Sequence, residues 1–461
     1  MARHTKKQEK EEVLNLIKLI DPMKNIMHKS LVATLIAGAF FSLNVQAADL
    51  LQIYKDALMN DAQYASARAS LAAGQEKSPQ GLALLLPVIT ASGGYNRNEP
   101  VGSSHPHYNT DTYGITLTQP LFNWASIQQF QQGRLSAAAS EAAFAQAQQD
   151  LVVRVAQAYF DVLAAQDVIA FVQAQKVAIS EQLASAKRNF EVGTATITDT
   201  HEAQARYDLA VAQEIAGIND LEVKRTALLQ IIGRPPADLE PLRPGILIGA
   251  PDPLKIDVWV SYAEAQNYGV LGSQLALEIA QREISKTRSG HMPTVDLVAK
   301  RSRTDISGPG SSSVTGIVGD TNSIGVQWTF PLFAGFGVMS KVREAIALED
   351  KARNDLEYTR RSAAQSARQS FLGVTSGLAQ VKALEAAEVS SQSALDSNKL
   401  GYEVGVRINI DVLNAQQQLY STRKDLAKAR YDAIMNGLKL KSAAGILREE
   451  DLVKVNGLLK H

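Results

Sequence analysis

Few residues in this chain have the types and spacing that reaction chemistry requires. Cysteine is absent, which excludes thiol nucleophiles, disulfides and thiolate metal ligands. The seven histidines show no ligand spacing, and His201 reads as a solvated polar residue. Gly308-Pro-Gly-Ser-Ser-Ser lacks the Gly-Lys-Ser/Thr ending of a phosphate cradle. No nucleophile elbow or zinc-hydrolase pattern occurs. An enzyme, a cofactor and a metal site are therefore not expected. The polar residues that do cluster lie at two turns, FEVGTATITD (190–199) and YEVGVRINIDVLNAQ (402–416). Gly193 and Gly405 supply a tight reversal there, because glycine tolerates positive φ. Asp199 and Asp411 follow, where aspartate favours a helix N-cap.

The two turns are copies of one pattern. Residues 183–193 align with 395–405, and the match continues through Asp199 with Asp411 and Ala203-Gln204 with Ala415-Gln416. Gln119-Pro120-Leu121-Phe122 matches Phe330-Pro331-Leu332-Phe333, Pro87 corresponds to Pro293, and Gly233 to Gly445. The offset runs from 206 residues (87 to 293) to 212 (199 to 411). Such a repeat predicts two structural units, 48–250 and 251–461, the second with a short C-terminal tail.

Each unit reads in one order. A helical stretch (50–86, 262–287) leads through a proline to a short extended segment (88–95, 294–301). A loop rich in Gly, Ser, Asn and Pro follows (96–111, 302–323). A second extended segment ends at Pro120 or Pro331. A long proline-free helical stretch (124–192, 334–404), the reversal and another helix complete the unit. At 1.5 Å per residue, about 70 residues reach about 105 Å. Ser136–Phe144, SAAASEAAF, packs only by close backbone approach, as in the wall of a tube. A plain antiparallel coiled coil is the alternative.

The extended segments alternate. Ile324, Val326, Trp328 and Phe330 share one face, with Gly325, Gln327 and Thr329 on the other. Tyr113, Ile115 and Leu117 repeat the pattern against Gly114, Thr116 and Thr118. This suits a barrel strand between lipid and a wet lumen, or an ordinary half-buried hairpin. Two hairpins supply only four strands, whereas a membrane barrel closes with about eight or more. Closure then requires several chains. Three copies would give twelve strands, although strand count alone leaves a dimer open.

With 47 basic and 47 acidic residues, the chain has no net field to attract nucleic acid, and no nucleic-acid function is expected. Lys24, His28 and Lys29 precede an apolar run, 31–43, and Val45-Gln46-Ala47 offers small residues for cleavage. Residues 23–47 thus read as a signal peptide, with the mature chain starting at Ala48. Residues 1–22 read as an upstream extension or a misassigned start, with Met23 or Met27 the true one. No later segment offers about eighteen consecutive apolar residues, so a membrane-spanning helix is not expected.

These residues resemble the TolC family of outer-membrane efflux and type I secretion channels. The carriers are the paired Pro-Leu-Phe segments (120–122, 331–333), the two turns, Ala429-Arg430-Tyr431-Asp432, and LKSAAGIL (440–447). The resemblance spans 48 to about 453. It implies a homotrimer whose twelve-stranded β-barrel, set in outer-membrane lipid, continues into a long α-helical coiled-coil barrel in the periplasm. It implies a passive duct that docks to a periplasmic adaptor (membrane fusion) protein and an inner-membrane transporter of RND or ABC type. The tip would be held shut by links from Asp199 to Tyr402 and from Thr198 to Arg407. Asp411 would line the constriction as a ring of three carboxylates that binds cations. Many relatives carry a second acidic residue at the position of Asn414, so the second ring here is neutral and cation block should be weaker. Lys187, Arg188 and Lys399 form a candidate docking surface for the adaptor, or simply a solvated helix end. A periplasmic coiled-coil adaptor or structural protein remains the alternative. An adaptor, however, carries one hairpin rather than two, and no cysteine is present to take a lipid anchor.

Overall fold

The computed structural model describes residues 48–101, 106–313 and 318–460. The expected signal peptide (23–47) and upstream extension (1–22) lie outside the described residues. The first helical stretch is broken into three helices: α1 (Leu50–Asn60), α2 (Ala62–Gln75) and α3 (Lys77–Ala83). The break at Asp61 has a local cause. Its Oδ1 accepts the Tyr64 backbone N–H at 2.5 Å, capping α2 and forcing α1 to end.

Strands β1 (Val88–Asn98) and β2 (Tyr108–Phe122) form one antiparallel hairpin. After the long α4 (Trp124–Glu191), α5 (Ile197–Ile232), α6 (Ile256–Gln266) and α7 (Tyr268–Arg288), strands β3 (Thr294–Ser307) and β4 (Gly319–Thr329) form a second. The hairpins join through β2 and β3 into one four-stranded sheet in the order β1-β2-β3-β4. Register sorts the faces. Ile89, Leu117, Ala299 and Ile324 are cross-strand neighbours on one face. Thr90, Thr116, Lys300 and Ser323 line up on the other. The apolar face is bare, with Ile324 78% and Trp328 70% exposed. Side chains of this kind in a row require an apolar surrounding. Pro120 does not end β2. The strand runs on to Phe122 through a register shift at the proline, which has no N–H to give to the ladder. β4 ends at Thr329, two residues before Pro331.

The chain then runs through α8 (Gly337–Glu403), α9 (Asn409–Ala443) and the short α10 (Glu449–Asn456). α4 and α8 contain 68 and 67 residues and reach about 100 Å each. Each folds back at its tip into a partner helix, α5 or α9. One stretch of α4 would suffice by length and composition to cross a membrane, contrary to the sequence expectation. However, 44% of that stretch is buried within the protein. Midway along, α1 packs against α4, the end of α5 and α10, around Leu50, Ile53, Tyr159, Phe160, Leu228 and Leu452, all almost fully buried. Toward the tips the helices touch through thinner clusters, in which alanines allow close approach.

Candidate gate at the hairpin tips

Both tips close by the same local chemistry. At the first, Gly193 takes φ 78° and Thr194 N–H donates to the Asn189 carbonyl at 2.8 Å. At the second, Gly405 takes φ 77° and Val406 N–H donates to the Gly401 carbonyl at 2.8 Å. Both backbones are left-handed, a conformation that penalises any side chain. No atom stands within 4 Å of where a Cβ would go at either glycine, so conformation rather than crowding sets the requirement.

The aspartates fall three residues inside their helices rather than at the N-cap. Thr196 caps α5, donating its hydroxyl and backbone N–H to Asp199 Oδ2 at 2.7 and 3.0 Å, while its Oγ1 accepts the Asp199 backbone N–H. This reciprocal box satisfies two of the orphan donors at the helix start. α9 has Ile408 at the cap position, which can offer no side-chain acceptor. Asp411 instead faces Arg407 Nη1 at 3.6 Å, one turn back. Thr198 is exposed at the tip. Within one chain, then, Asp199 and Arg407 each bond inside their own hairpin. The pairs Asp199–Tyr402 and Thr198–Arg407 are not hydrogen-bonded among the described residues.

Other side chains join the hairpins. Asn189 Nδ2 at the end of α4 donates to the Tyr402 hydroxyl at the end of α8, at 3.1 Å. Gln182 donates its amide to Asn409 Oδ1. Arg206 on α5 reaches α9, donating to Asn414 Oδ1 at 3.0 Å and to Gln417 Oε1. Between these polar contacts, Leu413 enters an apolar cluster of Ile179, Leu183, Ala203 and Ala210 with Tyr207 at its edge. Tyr402 packs on Leu395, Val412 and Leu419. Asn189, Gln182, Arg206 and Gln417 were not singled out from the sequence. A signal for Arg206 existed. It lies beside Ala203 and Ala210, small residues at helical spacing that mark the face of α5 turned toward another helix.

Farther from the tip, Lys176 donates to Glu214 across the first hairpin and holds that carboxyl below its usual range. Asp167 is half-buried, and the desolvation raises its carboxyl, an effect that the Tyr431 hydroxyl donating at 2.6 Å offsets in part.

Residues 53–234 and 259–446, one block in each half, match the family model described as outer membrane efflux protein. The chain belongs to that family. Outer membrane protein TolC of Vibrio cholerae is 33% identical over 94% of this chain and 99% of its own. Alkaline protease secretion protein AprF of Pseudomonas aeruginosa is 32% identical, covering 91% and 89%. Among solved structures, the Campylobacter jejuni CmeC outer membrane channel superposes with a TM-score of 0.77 at 16% identity, covering 90% and 91%. This outer membrane efflux protein is thus an exit duct that lies in the outer membrane and extends into the periplasm. Within the chain, its four strands form one antiparallel sheet.

Proposed function

We propose that three copies of this chain assemble into a passive duct gated at the hairpin tips. Units 48–250 and 251–461 each contribute two strands and one long hairpin, and the twelve strands close around a polar lumen. The duct conducts without chemistry of its own. It joins a periplasmic adaptor and an inner-membrane transporter of RND or ABC type, and its cargo is small molecules or unfolded protein. At the tip, Tyr402, Arg407, Thr198 and Asp199 restrain the hairpins. Asp411 forms the cation-binding ring, with Asn414 a neutral ring beside it. In a closed trimer, Thr198 and the Asp199 oxygen outside the capping box can meet the neighbouring chain.

The observation that carries this reading is the hydrogen bond from Asn189 to Tyr402. It ties two 100 Å levers at the end where a small separation changes the aperture most. A bond of this kind contributes about 1 kcal/mol and can be broken by a docking partner. The test is planar-bilayer recording of the detergent-purified mature protein, with its mass measured in the same detergent. A trimer with small, stable conductance that multivalent cations block, and that Asp411→Ala frees from block, supports the duct and its ring. A soluble monomer without conductance would overturn it.

A further inference from the structure

We propose that Arg206 is a latch that holds the start of α9 against α5, seven residues inside the tip from Asp199. This rests on reading the tip as the gate, and it adds a restraint distinct from the turn residues. The guanidinium spans two acceptors, Asn414 Oδ1 at 3.0 Å and Gln417 Oε1. Those acceptors stand three residues apart on α9 and so share one face. A planar fork reaches each acceptor with a separate nitrogen held in fixed geometry, whereas a lysine ammonium offers a single nitrogen. Glu202, one turn back on α5, lies 3.9 Å from the same guanidinium and steadies it from behind.

The neighbour of Asn414 gives the latch its second half. Leu413 is only 2% exposed, inserted among Ile179, Leu183, Ala203 and Ala210 on the first hairpin. Adjacent residues of α9 are therefore held by different forces, one apolar and one charge-assisted. Separating α9 from α5 breaks the fork and withdraws Leu413 in the same movement. Both acceptors of the fork are neutral, so its hold does not depend on pairing opposite charges. The Arg407–Asp411 pair depends on such pairing and salt screens it, but it lies within the second hairpin and does not join it to the first. The latch and that local pair thus respond differently to ionic strength.

The test is hydrogen exchange of the detergent-solubilised mature protein, read over residues 409–417, alongside bilayer recording at about 0.1 and 1 M KCl. Exchange in Arg206→Gln should quicken by about five- to tenfold, the loss of one charge-assisted bond network. Arg206→Lys should fall between, because it keeps the charge and loses the fork. Arg225→Ala, on the same helix but paired with Glu222 of its own helix, should change nothing. Open probability should rise in Arg206→Gln equally at both salt concentrations. In an Asn414→Ala/Gln417→Ala background, Arg206→Gln should have no further effect. Unchanged exchange in Arg206→Gln overturns the latch whatever the conductance does. Faster exchange with unchanged conductance upholds the latch and counts against the tip as the gate.

Discussion

Tyr402 illustrates how much one hydroxyl can decide. Its ring is fixed on Leu395, Val412 and Leu419, so the oxygen is presented to Asn189 without further ordering. Tyr402→Phe keeps that packing and removes only the acceptor, leaving the Asn189 amide to water. We expect open probability to rise about fivefold, the equivalent of about 1 kcal/mol, with little change in thermal stability. Single-channel recording and a melting curve separate the two effects. Asp61 is a second such residue. Burial pushes its carboxyl up, but Arg154 at 3.0 Å, with the Tyr64 and Gln63 backbone N–H groups, brings it below its usual range. A carboxyl depressed by folding adds stability above its unfolded pKa and loses it as pH falls through the folded value. Asp61→Asn should therefore lower the melting temperature at pH 7, by about 1–3 kcal/mol of stability, and the deficit should shrink toward about pH 3. A deficit that persists in acid would assign the effect to packing. The position of Tyr402 was legible in the sequence, but its partner was not, and Asp61 gave no signal at all. Tyr402 follows from the resemblance to the channel family, whereas Asn189 as its partner depends on how two helices 213 residues apart come into register.

At the scale of elements, period and punctuation carried most of the information. The strands were visible because side chains alternate with period two. The long helices were visible because proline is missing between Trp124 and Glu191 and between Gly337 and Glu403. What failed to show were interruptions set by single side chains or by partners. Asp61 splits an unbroken helical pattern through its own carboxylate, and β2 passes Pro120 because β3 tolerates a register shift. The sheet offers a clean test of its faces. Ile324 and Ser323 are adjacent on β4, so a substitution at each meets opposite surroundings. Ile324→Lys places charge on the apolar face and should cost about 2–4 kcal/mol, reducing the yield of assembled channel in the outer membrane. Ser323→Lys lies beside Lys300 on the polar face and should assemble, with a shift in ion preference. If both variants assemble equally well, the faces have been assigned wrongly.

At the scale of the whole molecule, the chain is built from two similar halves that cannot part, because one belt of contacts uses both. Asn456 near the C-terminus donates its amide to Asp49 Oδ2 at 3.0 Å and accepts the Leu51 backbone N–H at 3.3 Å. Lys460 N–H donates to the Pro241 carbonyl at 2.9 Å, and Leu459 pairs with Leu242 as an antiparallel bridge. Leu452 and Leu459 are fully buried in this belt, which the sequence suggested only as a tail. The tail closes back on the start of α1, at the level where long helices above and below must keep their spacing. Its removal should then act on both halves at once rather than free one end. Deleting residues 449–461 should abolish the assembled, protease-resistant particle. Asn456→Ala, which leaves Leu452 and Leu459 in place, should lower stability by about 1–3 kcal/mol and keep a single cooperative melt. Two separated transitions in that variant would mean that the halves fold independently and that the belt only covers their junction.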